Sequence, residues 1–271
     1  MLKTYFNSLP LWQFENLSEP EGVRHFVTTR EDGYGEGDFG SFNLGLNTGD
    51  DDAIVAENRQ RLASSLGISI DDFITLRQIH SNKVIPIKSR DDIEHIKNHE
   101  NNHADALVTN LAGIYLIVQV ADCLPILLFD PVQKVTAAVH AGWRGTVKKI
   151  VRETIRMMTG EFGCAPENIL AGIGPSIGPC CYEVGDDVVR EVTENLSNAD
   201  KLLKDSPSGE KKHLDLREAN SQELTEAGLI DANIEQAGIC TCCNSDEFYS
   251  YRCGSGRAGR FWAGIMLKGT S

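Results

Sequence analysis

The amino-acid sequence predicts an α/β fold built on mixed β-sheets. Strand-like apolar runs and helical patterns alternate along the chain without a convincing linker between them. Several neighbouring strand runs are too close together for a helical crossover, which argues against a purely parallel, doubly wound sheet. The length of 271 residues is enough to bury a sizeable core. We therefore expect one domain over residues 1–271.

Runs rich in apolar, β-branched and aromatic residues predict the individual strands. They are Val23–Thr29, Ile74–His80, Lys83–Lys88, Ala106–Thr109, Ile114–Val120, Pro125–Phe129, Val135–His140, Ile169–Ile173, Ile234–Ile239 and Phe261–Leu267. Apolar spacing near 3.6 and acidic first turns predict helices at Asp52–Leu66, Val147–Met158, Asp186–Leu196 and Glu218–Ala227. Two polar segments, Glu31–Gly40 and Ser197–Lys212, are expected to be loops.

The composition bounds the compartment and the partners. A hydrophobic content of 41% with 24% charged residues is typical of a soluble globular protein. The sequence begins without a signal-peptide pattern, and its eight cysteines then indicate cytoplasmic thiols rather than a disulfide framework. The 26 basic and 39 acidic residues leave a net charge of −13, which argues against nucleic acid and anionic membranes as partners. A small phosphorylated substrate stays open, because local arginines can outweigh the overall charge.

Three predicted strand ends carry side chains that bind metals well. His80 ends one strand in RQIHSNKV, Cys123 lies in a break between strands in VADCLPILL, and His140 ends a third strand in VHAGWRGT. Imidazole and thiolate are good zinc ligands, and a catalytic zinc ion has three protein ligands and one open position. A lone His or Cys is more often structural, so a shared metal site and three unrelated structural residues are both open interpretations.

Seven motifs in this chain closely resemble those of the YfiH/YlmD family, which includes the laccase-domain proteins. They are QIH, ADALVT, ADCLPILL, VHAGWRGT, GPSIGPCCYEV, LDLREAN and CTCC followed by FYSYR. The resemblance implies a single domain with mixed sheets sandwiched between helices, and a zinc ion bound by His80, Cys123 and His140, with copper as the alternative metal. It also implies phosphorolysis of adenosine, inosine and S-methyl-5'-thioadenosine, together with deamination of adenosine. The partners would then be a purine nucleoside and phosphate.

Two residues next to the metal ligands are candidates for catalysis. Arg144 follows His140 within one loop, so its guanidinium would flank the same phosphate as the metal. Asp122 precedes Cys123 and would transfer a proton or orient a ligand. A carboxylate that only caps the loop is the alternative for Asp122.

Two further residues are candidates for substrate binding. Asn43 in SFNLG is one, against the alternative of an ordinary turn asparagine. Arg252 in FYSYR is the other. Family members usually have a second arginine where this chain has Cys253, and Arg257 and Arg260 are the residues that would compensate.

Other functions compete for the same residues. In a cysteine-type hydrolase, Cys123 would be the nucleophile and His140 its base, and family members have been linked to editing of peptidoglycan precursors. A copper-dependent polyphenol oxidase is suggested by the older family name, but none of the seven histidines forms a His-x-His pair. A classical cytidine-type deaminase would show H-x-E and P-C-x-x-C, which this chain lacks. A metal-binding protein without catalysis is the third class.

A second group of cysteines has an uncertain role. Cys180 and Cys181 are adjacent, and Cys240, Cys242 and Cys243 form a C-x-C-C pattern. They could form a second site for a soft metal, but this spacing is not that of a zinc ribbon. We therefore expect buried structural thiols.

Overall fold

The computed structural model describes residues 1–98, 102–205, 209 and 211–269. Its strands, in chain order, are β1 (Leu2–Phe6), β2 (Leu9–Gln13), β3 (Val23–Thr28), β4 (Phe73–Ile74), β5 (Val84–Ile87), β6 (Ala106–Thr109), β7 (Tyr115–Val120), β8 (Leu124–Asp130), β9 (Val135–Ala141), β10 (Leu170–Ile173), β11 (Glu183–Val184), β12 (Leu203–Asp205), β13 (Lys212–Leu214), β14 (Ile234–Gln236) and β15 (Phe261–Leu267). The α-helices are α1 (Glu15–Ser18), α2 (Asp52–Leu66), α3 (Arg90–Asn98), α4 (Trp143–Val147), α5 (Ile150–Phe162), α6 (Asp186–Asn195), α7 (Ala199–Leu202) and α8 (Leu216–Glu226).

Two six-stranded sheets form the centre of the molecule. The first has the order β1-β2-β3-β15-β7-β4 and the second the order β14-β10-β8-β9-β6-β5. Both are mixed: β4 is parallel to β7 and β5 is parallel to β6, whereas β15 is antiparallel to β7 and β8 is antiparallel to β9. A small third sheet has the order β11-β13-β12. The predicted mixed-sheet α/β fold is confirmed.

The alternation of side chains along the strands explains the layers. In β7, Tyr115 and Ile117 pack on Leu62 of α2, whereas the intervening Leu116 packs toward the second sheet. In β9, Val139 packs with α5 on the outer face of the second sheet, and Ala138 lies in the core between the sheets. Because successive strand residues point to opposite faces, each sheet buries one face on the other sheet and one on helices. The sheets are therefore sandwiched between helices, as predicted.

The chain crosses between the two sheets at the place where the candidate ligands lie. The connection from β4 in the first sheet to β5 in the second carries His80, and the connection from β7 to β8 carries Cys123. His140 pairs with Pro125 near the end of β9. His140 lies two residues after Ala138 in β9, so both side chains are on the same face of the strand. The side chain of His140 therefore points into the space between the sheets.

The predicted strand Ile74–His80 is wrong beyond Ile74, where β4 ends. A side chain replaces the backbone pairing that would have continued it. The Gln78 amide donates to the Gln119 carbonyl oxygen in β7 and accepts from the Gln119 N–H, both at 2.8 Å. His80 then adopts a left-handed conformation with φ 57°. The segment before His80 is thus a loop fastened to the sheet by one glutamine.

Other boundaries also differ from prediction. The helix expected from Val147 begins at Ile150, because Lys149 is left-handed with φ 63° and separates it from α4. The predicted loop Ser197–Lys212 holds α7, β12 and the start of β13, while residues 206–208 and 210 lie outside the described residues. The strands β1 and β2 and the helix α3 were not predicted from the sequence. The loop over Glu31–Gly40 contains one 3-10 turn.

Cys242 and Cys253 form a disulfide bond, with 5.6 Å between their Cα atoms. The expectation of thiols alone is wrong for this pair, because the chain folds back and brings together two cysteines that are eleven positions apart in the sequence. Among the described residues, no helix combines the length and apolar character needed to cross a membrane.

Candidate active site

His80, Cys123 and His140 converge on one point. Their donor atoms all lie within 4.8 Å of one another. The Nε2 atom of His80 is 3.7 Å from the Sγ atom of Cys123, and the two imidazole rings meet edge to face with 4.8 Å between centroids. A tetrahedral zinc ion would separate a sulfur and a nitrogen ligand by about 3.6 Å. The donor set therefore fits a zinc ion.

The buried carboxylate of Asp105 positions two of these three donors. Its Oδ1 accepts hydrogen bonds from the His80 N–H and from Nδ1 of His140, both at 2.9 Å. Its Oδ2 accepts from the Ser81 N–H at 2.6 Å and the Ser81 hydroxyl at 2.7 Å. Since Nδ1 of His140 is engaged, Nε2 is the atom that faces Cys123. Sequence reasoning missed Asp105, although it lies in the ADALVT motif directly before β6.

Hydrogen bonds and charge set the protonation of these groups. Burial would raise the pKa of Asp105, but hydrogen bonds from His140 and Ser81 outweigh it and hold the pKa at about 2. Burial would also raise the pKa of Cys123, but the charge and hydrogen bond of His140, with help from His80, lower it to about 6. Burial opposes the charged form of His140, yet Cys123 and Asp105 raise its pKa to about 9. The site thus favours a thiolate, which is the form that binds metals and attacks electrophiles.

Gly142 provides the space in which the donors meet. A Cβ atom at this position would lie 2.9 Å from Cδ2 of His80 and 3.0 Å from Sγ of Cys123. The backbone of Gly142 has φ −79°, a value open to any residue, so its requirement is for space rather than for conformational freedom.

The three donors open on a cavity of about 860 Å³. This volume is in the range of about 300–1,000 Å³ that small-molecule sites occupy. The lining includes four arginines, namely Arg59, Arg77, Arg252 and Arg260. Asp122 is the carboxylate of the lining. The cavity is therefore locally positive in a chain of net charge −13, which favours an anionic or phosphate-dependent substrate.

Two of the predicted residues, Asp122 and Arg252, line this cavity and are joined to each other. One carboxylate oxygen of Asp122 accepts from the Arg252 N–H at 2.7 Å, and the other accepts from the Thr241 hydroxyl at 2.7 Å. The Arg252 guanidinium donates to the Glu183 carbonyl oxygen at 2.8 Å and lies 5.3 Å from the centre of the Tyr182 ring. Asp122 thus anchors the loop that presents Arg252.

The other two predicted residues lie outside the cavity lining. Arg144 is exposed on α4, and its guanidinium stacks on Trp143 with 4.3 Å to the ring centroid. Asn43 is buried: its amide donates to Asp50 at 2.9 Å, and its oxygen accepts from the Arg260 N–H at 2.8 Å. The side chain of Asn43 therefore positions the backbone of a cavity residue.

Of the two arginines expected to compensate for the missing second arginine of the family motif, Arg260 is the one at the cavity. It lines the cavity, whereas the guanidinium of Arg257 lies 3.5 Å from Asp38 at the surface. Arg260 donates through Nη1 to two backbone carbonyls, at 2.6 Å and 3.0 Å. Burial lowers the pKa of Arg260, which a bound anion would oppose.

Gln119 is a cavity residue that sequence reasoning did not identify. Its Oε1 atom is buried and has no hydrogen-bond partner among the described residues, and its side chain lines the cavity. A buried carbonyl oxygen without a partner is costly, which indicates a ligand that would donate to it. The available signal was the single polar residue within the apolar strand YLIVQV.

The fold and this site define a class of α/β protein whose candidate metal centre lies where two sheets meet. The chain belongs to the family described as multi-copper polyphenol oxidoreductase laccase, whose model matches residues 24–268. The resemblance drawn from the motifs is confirmed.

Named relatives share most of their length with this chain. A purine nucleoside phosphorylase of Bacteroides thetaiotaomicron is 35% identical over 94% of this chain and 95% of the relative. Adenosine deaminase RL5, from an unknown prokaryotic organism, is 38% identical over 92% of this chain and 95% of its own. The purine nucleoside phosphorylase YlmD of Bacillus subtilis is 34% identical over 95% and 92%.

Solved structures show the same fold. YlmD from Geobacillus stearothermophilus superposes with a TM-score of 0.87 at 31% identity, covering 96% of both chains. The Bacillus licheniformis protein YfiH has a TM-score of 0.85 at 32% identity, covering 91% of this chain and 93% of its own.

Substitution of Gly142 tests whether space at the donors limits metal binding. We expect Gly142→Ala to weaken zinc binding by about 10- to 100-fold, the range found for residues that support metal ligands, because the new methyl group displaces His80 and Cys123. Competition against a chromophoric chelator measures the affinity. Gly160→Ala is the matched control, since nothing lies within 4 Å of that position in α5. Equal zinc affinity in Gly142→Ala and the wild type would contradict this role.

Proposed function

We propose that this protein is a zinc-dependent purine nucleoside phosphorylase that acts on adenosine, inosine and S-methyl-5'-thioadenosine and also deaminates adenosine. The observation that carries the proposal is the convergence of His80, Cys123 and His140 in a cavity lined by four arginines. The relatives named as purine nucleoside phosphorylases and as an adenosine deaminase support the choice of reaction.

The donor set supports zinc as the resident metal, held by His80, Cys123 and His140. A zinc ion with three protein ligands keeps one position open and acts there as a Lewis acid on an oxygen atom. The same nitrogen and sulfur donors also suit copper, which stays the alternative. Two groups of side chains among the described residues could hold a metal ion, and histidine occurs in one of them. The name of the family, by contrast, refers to several copper ions.

Phosphorolysis requires a phosphate held against the anomeric carbon of the sugar while positive charge develops there. Charged hydrogen-bond donors in fixed positions supply much of the stabilisation in such reactions. We assign the phosphate to Arg252 and Arg260, because both line the cavity and each retains N–H donors that no described residue accepts. Arg144, the candidate from the sequence, is exposed and lies outside the cavity lining. We assign it a weaker effect on phosphate binding, through its charge.

The purine would be recognised by the opposite wall of the cavity. Oε1 of Gln119 can accept a hydrogen bond from the exocyclic amine of adenine or from N1–H of hypoxanthine, so it suits both adenosine and inosine. Asp122 has accepting capacity left on both oxygens and is assigned the proton transfer to or from the substrate.

The products formed from adenosine test the proposed function directly. Zinc-loaded protein should release adenine and ribose 1-phosphate only when phosphate is present, and should form inosine with or without phosphate. Cys123→Ala should lose both reactions, because it removes one metal ligand. Chromatography of the reaction mixtures separates these products. The proposal would be contradicted if the zinc-loaded wild type formed neither adenine with ribose 1-phosphate nor inosine.

A cysteine-type hydrolase is the second candidate function, and one observation favours it. Cys123, His140 and Asp105 are arranged as a nucleophile, its base and an orienting carboxylate. The two functions differ in their need for metal. A phosphorylase should be inactive after chelation and recover with zinc, whereas a hydrolase should work without metal and lose activity when Cys123 is alkylated.

Arginine variants test the phosphate assignment. Arg252→Ala removes a charged hydrogen-bond donor to the phosphate. The loss of this contact should cost about 1.5–3 kcal/mol of binding free energy, hence about a 10- to 150-fold loss of phosphorolysis. Deamination should fall much less, because the attacking water carries no negative charge. Arg144→Ala is the matched variant outside the lining and should lose less than Arg252→Ala. Equal losses of both reactions in Arg252→Ala, at equal zinc content, would contradict the assignment.

A further inference from the structure

Four cysteine side chains meet outside the cavity. Their sulfur atoms all lie within 4.8 Å of one another, and they belong to Cys180, Cys181, Cys240 and Cys243. The sulfur of Cys243 is 3.5 Å from that of Cys180 and 3.4 Å from that of Cys181. Cys240 is buried, but Cys180 and Cys243 are exposed. The expectation of buried structural thiols is therefore wrong for these two.

The distances in this cluster match a tetrahedral metal site. Four thiolates around one zinc ion, at about 2.3 Å each, lie about 3.8 Å apart. Contacts of 3.4 and 3.5 Å within a group bounded by 4.8 Å leave room for one ion. Cys240 and Cys243 have the C-x-x-C spacing of many zinc ligands, and Cys242 between them is engaged in the disulfide bond with Cys253.

Backbone donors prepare the buried sulfur for a metal. The Gly178 N–H donates to Sγ of Cys240 at 3.2 Å. N–H groups aimed at a sulfur stabilise its thiolate and are the usual outer contacts of metal-bound cysteines.

The two segments that carry the cysteines pack too closely for side chains between them. A Cβ atom on Gly178 would lie 3.2 Å from Cβ of Cys240 and 3.3 Å from Sγ of Cys180. It would also lie 3.0 Å from Nη2 of Arg217, so a guanidinium is next to the cluster. A positive charge at this place offsets the net charge of −2 that four thiolates and a zinc ion carry.

We propose that Cys180, Cys181, Cys240 and Cys243 bind one zinc ion in a structural tetrathiolate site that is separate from the His80–Cys123–His140 group. Binding forms four zinc–sulfur bonds and releases the thiol protons to solvent. All four positions of the ion are then filled by protein, which is the arrangement of structural rather than catalytic zinc.

This ion would connect two walls of the active-site cavity. Cys181 precedes Tyr182, which lines the cavity. Cys240 precedes Thr241, whose hydroxyl donates to Asp122 at 2.7 Å. The proposed zinc ion therefore joins the segment that supplies an aromatic wall to the segment that positions a cavity carboxylate.

Cobalt titration of the metal-free full-length chain tests the proposal. Co²⁺ bound by thiolates in a tetrahedron gives intense visible absorption, and metal analysis gives the stoichiometry. We expect the double variant Cys180→Ser, Cys243→Ser to bind one ion fewer than the wild type and to lose most of this absorption, because only Co²⁺ at Cys123 then absorbs. Cys164→Ser removes a buried free thiol outside the cluster and should bind as many ions as the wild type. The single variant Cys180→Ser, at an exposed position, should lower the affinity even if the double variant does not fold.

Cys123→Ala separates this site from the active site. It should lose one ion and keep the tetrathiolate absorption, and that absorption should persist whether or not the protein is a phosphorylase. The proposal is overturned if the double variant binds as many ions as the wild type. It is also overturned if the cluster thiols in zinc-loaded wild type react with a thiol reagent as fast as in the metal-free chain, or form disulfides in place of binding zinc.

Discussion

The candidate active site depends on the hydrogen bonds of one buried carboxylate, that of Asp105. An unpaired buried carboxylate is expensive, and this one is compensated by hydrogen bonds from the His80 backbone, from Ser81 and from the His140 ring. Each such bond to a charged group contributes about 1.5–3 kcal/mol, so the carboxylate fixes the loop and the ring together. The orientation of His140 then follows, because Nδ1 is held by Asp105 and only Nε2 remains to face Cys123.

The topology explains why these groups are available in one place. Two connections that cross between the sheets carry His80 and Cys123, and β9 ends beside them with His140 facing inward. Backbone at such crossings is free of ladder pairing and can adopt left-handed conformations, as His80 and Asp122 do with φ 57° and 88°. The arginines of the cavity give it a charge opposite to that of the whole chain.

Much of the fold and the donor set could be predicted from the sequence, because both depend on local patterns. Strand periodicity predicted most strands of the two central sheets, and the motifs identified the three side chains that the structure brings together. Long-range side-chain contacts could not be predicted. Gln78 replaces backbone pairing with Gln119, and Asp105 contacts residues from two distant segments. The sequence raised the cysteines as a possible second soft-metal site but favoured buried structural thiols, because it does not show which four sulfur atoms the fold brings together.

An anomalous-difference map measured at the zinc absorption edge, from crystals of the purified protein, tests the central claim most directly. The account predicts a peak about 2.0–2.1 Å from Nε2 of His80 and Nε2 of His140 and about 2.3 Å from Sγ of Cys123. Nδ1 of His140 should still be hydrogen-bonded to Asp105. A zinc-supplemented crystal with no peak at this position, and with His140 hydrogen-bonded directly to Cys123, would contradict the account and favour the cysteine nucleophile.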